Sequence, residues 1–309
     1  MSIRKPLEMI IDTDIGDDID DAFALCIAMR SPEIHLAGVT TVFRQPEKRA
    51  QIAARLLRLG RAGCVPVCAG ASHPLSGGLL YGERINYDQA PAAYTAAYDR
   101  EAYNDEEHAC DFIIRTAKSA EAPLVITTLG PLTNIAMALL KYPGLKDHIR
   151  CIHAMGGAFF RIMHAEYNFA CDPEAAEIVL KSGIPVRCVG LDVTFPCMLK
   201  EADILRLQEM RSPCIRALMD MRAGWPGHVI LHDPAALVST FRQDLITFRR
   251  IRCEIETQGK YTRGMSVNTS GFAWGQSPKN SSVEAACTAR TQQLMALCME
   301  RLLTYGSCQ

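Results

Sequence analysis

Short apolar runs alternate with stretches of helical period through the first two thirds of this 309-residue chain, and that alternation restricts its fold more than any other feature. Strand, helix, strand in repetition builds βαβ units, whose strands lie parallel in one sheet with helices on its faces. The runs Glu8 to Ile11, His35 to Val42, Val65 to Cys68, Leu124 to Thr127, Cys151 to Ala154 and Val186 to Val189 read as buried strands. Between them, apolar residues at three- and four-residue spacing predict helices over Asp21 to Met29, Glu47 to Leu59, Glu106 to Ala120, Asn134 to Lys141 and Glu174 to Lys181. Ser72 to Tyr103 carries Gly77-Gly78 and Pro91 without a clear period and reads as an irregular excursion, a kind of segment that is often functional. Past Pro196 the pattern turns helical, near Glu201 to Met210, Pro213 to Arg222 and Pro234 to Thr240. Ile251 to Thr257 and Tyr261 to Val267 read as a strand pair turned by Gln258-Gly259, and Val283 to Leu303 as a closing helix. No repeat or linker interrupts the sequence. The expectation is one α/β domain over residues 1–309, a single open, mostly parallel sheet flanked by helices.

Hydrophobic residues make up 49% and charged residues 22%, ample for a core and far from the composition of a disordered chain. A net charge of −1 and the lack of any basic block offer phosphates no field to follow. That argues against nucleic-acid and membrane-surface partners and for small neutral substrates. The 13 cysteines are scattered, odd in number and include no C-x-x-C pair, so the expected setting is reducing and cytoplasmic. Met1 to Met9 has no apolar core of a secretory signal, and no stretch reaches the roughly 18 to 20 apolar residues of a membrane span.

The densest chemistry lies where the first strand gives way to the first helix. Asp12, Asp14, Asp17, Asp18, Asp20 and Asp21 place six carboxylates in ten residues. Such groups repel one another at close range, and loops at the carboxyl ends of parallel strands are where open α/β sheets bind ligands. A bound cation relieves the repulsion, and oxygen donors without neighbouring Cys or His favour calcium or magnesium over zinc. One or two of these aspartates can be helix caps, but not six. An EF-hand needs Gly at its sixth position and Glu at its twelfth; counting from Asp12, the chain has Asp17 and Phe23. A solvated acidic loop is the remaining plain reading.

The loop resembles the N-terminal signature of nucleoside hydrolases, usually D-x-D-P-G-x-D-D-A. Asp12-Thr13-Asp14-Ile15-Gly16 opens it and Asp20-Asp21-Ala22 closes it, with two extra residues and Ile15 in place of Pro. Alignment from the helix side gives Asp20 and Asp21 the family's Asp-Asp, with Asp17 and Asp18 as alternates. Later segments are similar in order and spacing: Leu129-Gly130-Pro131-Leu132-Thr133-Asn134, Met155-Gly156-Gly157, Glu166-Tyr167-Asn168 leading into Asp172-Pro173-Glu174-Ala175-Ala176, and His232-Asp233-Pro234. Singly, Gly-Pro, Gly-Gly and Asp-Pro are ordinary turn and helix-start signals. Glu254-Ile255-Glu256-Thr257 and Thr262-Arg263-Gly264-Met265 resemble a C-terminal strand pair of the family, so the likeness covers nearly the whole chain.

The resemblance implies a Rossmann-like core and a calcium-dependent enzyme that cuts the N-glycosidic bond of ribonucleosides with water, assembled as a homodimer or homotetramer. It places calcium on Asp14, Asp21, Asp233 and the Leu129 carbonyl, with the ribose 2′- and 3′-hydroxyls completing a shell of 6 to 8 oxygens. Asp20 then takes a proton from the attacking water. His232, with a reference pKa near 6.5, protonates the leaving base. Gln45, Met155, Glu166, Asn168 and Asp233 contact the substrate. Three departures stand out. Phe43-Arg44-Gln45 occupies the place of a family Asn, with Gln45 left to reach a hydroxyl. The loop from Met155 to Glu166 is short and lacks a second sugar-binding Asn. Tyr81-Gly82-Glu83-Arg84-Ile85 replaces H-G-x-x-G-L, and Tyr81, Arg84 and Arg161 are open to a pocket or a surface role. Two other classes remain in play: a magnesium-dependent phosphotransfer enzyme, which also begins with D-x-D, and a metal-dependent nucleoside or ribose binder without turnover.

Overall fold

A computed structural model of the chain describes residues 5–80, 101–225, 227–272, 279 and 281–306. Strand β1 (Leu7–Thr13) is buried from Met9 onward and pairs in parallel on both edges. On one side α1 (Asp20–Ala28) leads to β2 (Ile34–Thr41), and α2 (Pro46–Leu59) to β3 (Val67–Ala69). The chain then crosses back through α3 (Ala109–Ser119) to β4 (Leu124–Thr128), on the other edge of β1. From there α4 (Thr133–Lys141) leads to β5 (Ile149–Met155), and α5 (Tyr167–Cys171) with α6 (Pro173–Leu180) to β6 (Val186–Val189). Helices α7 (Leu191–Thr194), α8 (Glu201–Gln208), α9 (Pro213–Ala223) and α10 (His232–Ser239) follow. After them come β7 (Ile246–Arg250), the small antiparallel pair β8 (Cys253–Ile255) and β9 (Ser266–Asn268), then β10 (Val283–Ala289) and α11 (Thr291–Leu303).

Among the described residues the main sheet has eight strands in the order β3-β2-β1-β4-β5-β6-β10-β7, all parallel except β7 at one edge. Side chains alternate across it. Met9 and Ile11 enter one apolar layer, with residues of α1, α2, α9, α10 and α11, while Ile10 enters the other, with residues of α3, α4 and α6. Strand order reverses between β1 and β4, and in open α/β sheets the crevice beyond the carboxyl ends at such a switch point binds ligands. The aspartate loop leaves β1 at that place.

The mostly parallel open sheet agrees with the sequence reading, and the helices fall within a few residues of their predicted spans. Three segments differ. Of the strand pair read over Ile251 to Thr257 and Tyr261 to Val267, only Cys253–Ile255 and Ser266–Asn268 are strands, and Tyr261 to Met265 belongs to the connection. Val283 to Leu303 is not one helix: its first part is β10, which pairs with β6 and β7, and only Thr291 onward is helical. Ile246 to Arg250, assigned to no element from sequence, is the edge strand β7. The predicted excursion over Ser72 to Tyr103 falls largely on residues 81–100, outside those described, as do Tyr81 and Arg84.

One buried group ties the sheet to its helices and to pH. His153 on β5 is 3% exposed, its Nδ1 lies 2.7 Å from the Ser239 hydroxyl of α10, and burial lowers its pKa from 6.5 to about 3. The folded ring stays neutral while the unfolded ring protonates below pH 6.5, so stability is full above that value and falls as pH drops toward 3. Between pH 7.5 and 5 this group alone removes about 2 kcal/mol. Urea denaturation of wild type and His153→Gln at both pH values reads it: the variant, less stable at pH 7.5, lacks that share of the acid loss.

Candidate functional site

A cavity of about 610 Å³ opens beyond the carboxyl ends of β1, β4 and β5. Its floor is acidic. Asp14, Asp17, Asp18, Asp20 and Asp21 come from the loop after β1, Leu129 from the residue after β4, Met155 from the end of β5, and His232 and Asp233 from the start of α10. Glu166, Tyr167 and Asn168 at the start of α5 form one wall, and Leu80, Leu191 and Trp225 supply apolar surface.

Carboxylate oxygens of Asp20, Asp21 and Asp233 converge within 4.8 Å of one another, all buried. They are brought there by two helix starts that meet: Asp20 and Asp21 lie in the first turn of α1 and Asp233 in that of α10, and the Asp233 backbone N–H donates to Asp20 Oδ2 at 2.9 Å. Helix N-termini favour negative charge, yet not enough to offset burial here. Burial, and then repulsion among the aspartates, holds Asp14, Asp20 and Asp233 well above the usual carboxylate range. Burial raises Asp21 to about 6, with the Thr13 hydroxyl and Arg49 pulling the other way. Asp14 packs against Gly130, where a Cβ would stand 2.7 Å from its Oδ1. A buried, all-oxygen cluster of this kind either carries protons or takes a hard cation, and the donors fit calcium or magnesium in chemistry. Leu129 lines the same cavity, and one lone pair of its carbonyl accepts from Asn168 Nδ2 at 2.6 Å.

A sequence profile of the inosine-uridine preferring nucleoside hydrolases matches residues 9–296. The chain belongs to that family. The hydrolase is 33% identical over 291 residues to the pyrimidine-specific ribonucleoside hydrolase RihA of Salmonella paratyphi B, a match covering 88% of this chain and 91% of that protein. Its fold superposes on a plant nucleoside hydrolase, the PpNRh1 enzyme, with a TM-score of 0.84 and 27% identity, covering 96% of this chain and 99% of the other. A purine-preferring ribonucleoside hydrolase from Gardnerella vaginalis gives 0.83 and 26%, covering 98% and 100%. It is therefore an N-glycosyl hydrolase acting on ribonucleosides.

Of the residues named from sequence, Asp14, Asp20, Asp21, Leu129, Met155, Glu166, Asn168, His232 and Asp233 all line this one cavity of the hydrolase. Gln45 does not. It stands at the N-terminus of α2, its carbonyl accepting from Arg49 N, because Phe43 and Arg44 adopt left-handed backbone (φ 73° and 60°) and turn the chain before it. Arg161 is exposed, outside the cavity lining.

Three residues sit in the cavity differently from the simplest expectation. Glu166 caps α5: its carboxylate accepts from the backbone N–H groups of Gly157, Asn168 and Phe169 at 3.0, 2.8 and 3.1 Å. The amide NH2 of Asn168 is committed to the carbonyls of Leu129 and Met155, so the group it offers a sugar hydroxyl is Oδ1. His232 does not keep its reference pKa: burial lowers it to about 4, and the ring is neutral near pH 7. Its Nδ1 lies 2.7 Å from the Thr194 hydroxyl, and Phe195 meets the ring edge-on with centroids 5.6 Å apart. Thr194, Phe195 and the Trp225 wall went unnoticed in the sequence, since no spacing links them to the aspartate loop.

Proposed function

We propose that this ribonucleoside hydrolase depends on calcium, held by Asp14, Asp21, Asp233 and the Leu129 carbonyl, and that Asp20 is its general base. The reading is supported by the buried carboxylates of Asp21 and Asp233, which converge with that of Asp20, and by Asp14 and Leu129 lining the same cavity. Calcium accommodates more oxygens and less regular geometry than magnesium, which suits ligands drawn from three separate segments plus two vicinal sugar hydroxyls. When bound, the ion supplies an anchor for those hydroxyls and a polarising charge for water.

The protein groups have distinct tasks. Asp20, buried beside Asp21 and Asp233, removes the proton from the attacking water. Positive charge grows on the sugar in the oxocarbenium-like transition state, and the acidic floor stabilises it. Asn168 Oδ1 accepts from a sugar hydroxyl. Glu166, saturated by backbone donors, fixes the wall on which Asn168 and Met155 meet the ribose. His232, neutral near pH 7, steadies the leaving base by a hydrogen bond from Nε2–H while the base takes its proton from solvent, with Thr194 donating to Nδ1 to set that tautomer. Relatives are named for pyrimidine and for purine bases, so both classes are candidate substrates. Family likeness extends the proposal to a homodimer or homotetramer in the cytoplasm.

Thermal melting of metal-stripped protein with Ca2+, Mg2+, Mn2+ and Zn2+ tests the ion. Calcium at 100 times its Kd is expected to stabilise the fold by about 2.7 kcal/mol, a rise of several degrees in Tm. A response to Zn2+ alone, or to none of the four, contradicts the calcium assignment.

A further inference from the structure

The aspartate loop exceeds the family spacing by two residues, and Asp17, inside that longer stretch, has a set of partners unlike those of its neighbours. Its Oδ1 lies 2.9 Å from Arg44 Nη1 and 3.2 Å from Arg49 Nη2, and the Tyr167 hydroxyl donates to Oδ2 at 2.8 Å. Both arginine side chains are fully buried and that of Asp17 is 8% exposed. Fully desolvated guanidiniums are rare and need charged partners. Arg49 also holds the loop backbone directly, donating to the carbonyls of Asp14 and Ile15 and, from Nε, to that of Phe43 at 2.8 Å. Arg44 reaches Asp17 from a left-handed backbone conformation, φ 60°, that non-glycine residues seldom adopt, and Phe43 before it is left-handed too.

We propose that Asp17, Arg44, Arg49 and Tyr167 form an ion-paired bracket that fixes the metal-binding loop against the sugar-binding start of α5, with Asp17 a positioning residue and not a metal ligand. Both oxygens of Asp17 are engaged by cationic or hydroxyl donors, and Asp17 is not among the carboxylates that converge, Asp20, Asp21 and Asp233. Asp14 is gripped on its own carbonyl by Arg49 and, three residues on, through Asp17. Tyr167 sits between Glu166 and Asn168, so its hydroxyl ties the sugar wall to the same grip. Groups behind a metal's direct ligands orient those ligands, and their loss weakens metal binding by about 10- to 100-fold. The inference rests on the metal site proposed above.

Calcium titration calorimetry on the full chain tests it, with wild type, Tyr167→Phe, Arg44→Met and an Asp21→Asn control, and with Tm and kcat at saturating Ca2+ recorded for each. Tyr167→Phe removes one hydroxyl and nothing else: Tm stays within about 2 °C and the calcium Kd weakens about three- to tenfold. Arg44→Met weakens it at least about tenfold, while its kcat at saturating Ca2+ stays within about threefold. A merely structural ion pair moves Tm and leaves Kd alone. Unchanged Kd in both bracket variants, with binding lost in Asp21→Asn, overturns the bracket and leaves the metal site standing. Failure of wild type itself to bind Ca2+ overturns the metal site, and the bracket's purpose with it.

Discussion

Asp20→Asn is expected to lower kcat by about three orders of magnitude while raising the melting temperature of metal-free protein. The two effects have one source. Asn is isosteric, and its amide oxygen can keep the bond that Asp20 Oδ2 accepts from Asp233 N, so the meeting of α1 and α10 survives. What disappears is a basic oxygen able to take the proton of water, and general-base losses run to about 10²–10⁴ in rate. Also gone is one of several buried carboxylates that repel one another. Asp20 has a folded pKa raised above its unfolded value of 3.8, through burial first and Asp18 and Asp21 next. For such an acid the wild-type fold loses nothing below about pH 4, where the group is protonated in both states, and loses stability as pH rises through the unfolded value. The variant escapes that loss. At pH 7.5 without metal it melts about 2–4 °C higher, the shift for about 1 kcal/mol in a domain of this order of size, and the gap closes toward pH 4. Calorimetry across that range, with single-turnover kinetics, reads both halves. Retention of half the wild-type kcat removes Asp20 from the chemistry.

Gly130→Ala is the second large effect. The Cβ it introduces meets Asp14 Oδ1 at 2.7 Å and the Asp14 Cβ and Cγ at 2.9 Å, and the preceding Leu129 carbonyl is held by Asn168. The backbone has little room to retreat, so the Asp14 carboxylate moves. Misplacing a site group by about 1 Å costs about 100-fold, and overpacking a dense interior costs about 1–3 kcal/mol. Expected, then, are a loss of about 100-fold in kcat/KM and a Tm lower by several degrees. Gly78→Ala, whose added Cβ has nothing within 4 Å among the described residues, serves as the neutral control. Equal activity in the two variants contradicts any functional part for the Asp14 position.

What could be read in advance follows from which forces are local. The parallel strands are buried on both faces and spell themselves as apolar runs, so β1, β4, β5 and β6 were legible. Val283 to Ala289, reading V-E-A-A-C-T-A, is rich in alanine and satisfies a helical reading equally well; its pairing with β6 decides for strand, and pairing is long-range. Ile246 to Arg250 is an edge strand with exposed arginines and resembles a loop in composition. That the aspartate loop, Asn168 and His232 share one cavity is foreshadowed in the sequence, because each belongs to a dense local motif. Gln45 lies outside the described cavity lining because the chain turns at left-handed Phe43 and Arg44, where no glycine announces the turn. Arg49 did leave a trace: on α2 it lies on the apolar stripe with Pro46, Ala53 and Leu56, and a charged residue on a buried helix face asks for a buried partner. That partner, Asp17, lies 32 residues earlier and no spacing rule connects the two.

Sugar release tests the calcium dependence of this hydrolase most directly. Metal-stripped protein, given uridine, cytidine, inosine, adenosine and guanosine in turn, should free no ribose, and added Ca2+ should restore release from at least one of them, with equal free base formed. Undiminished release without any divalent ion, or release restored by Zn2+ and not by Ca2+, would contradict a calcium-dependent carboxylate site.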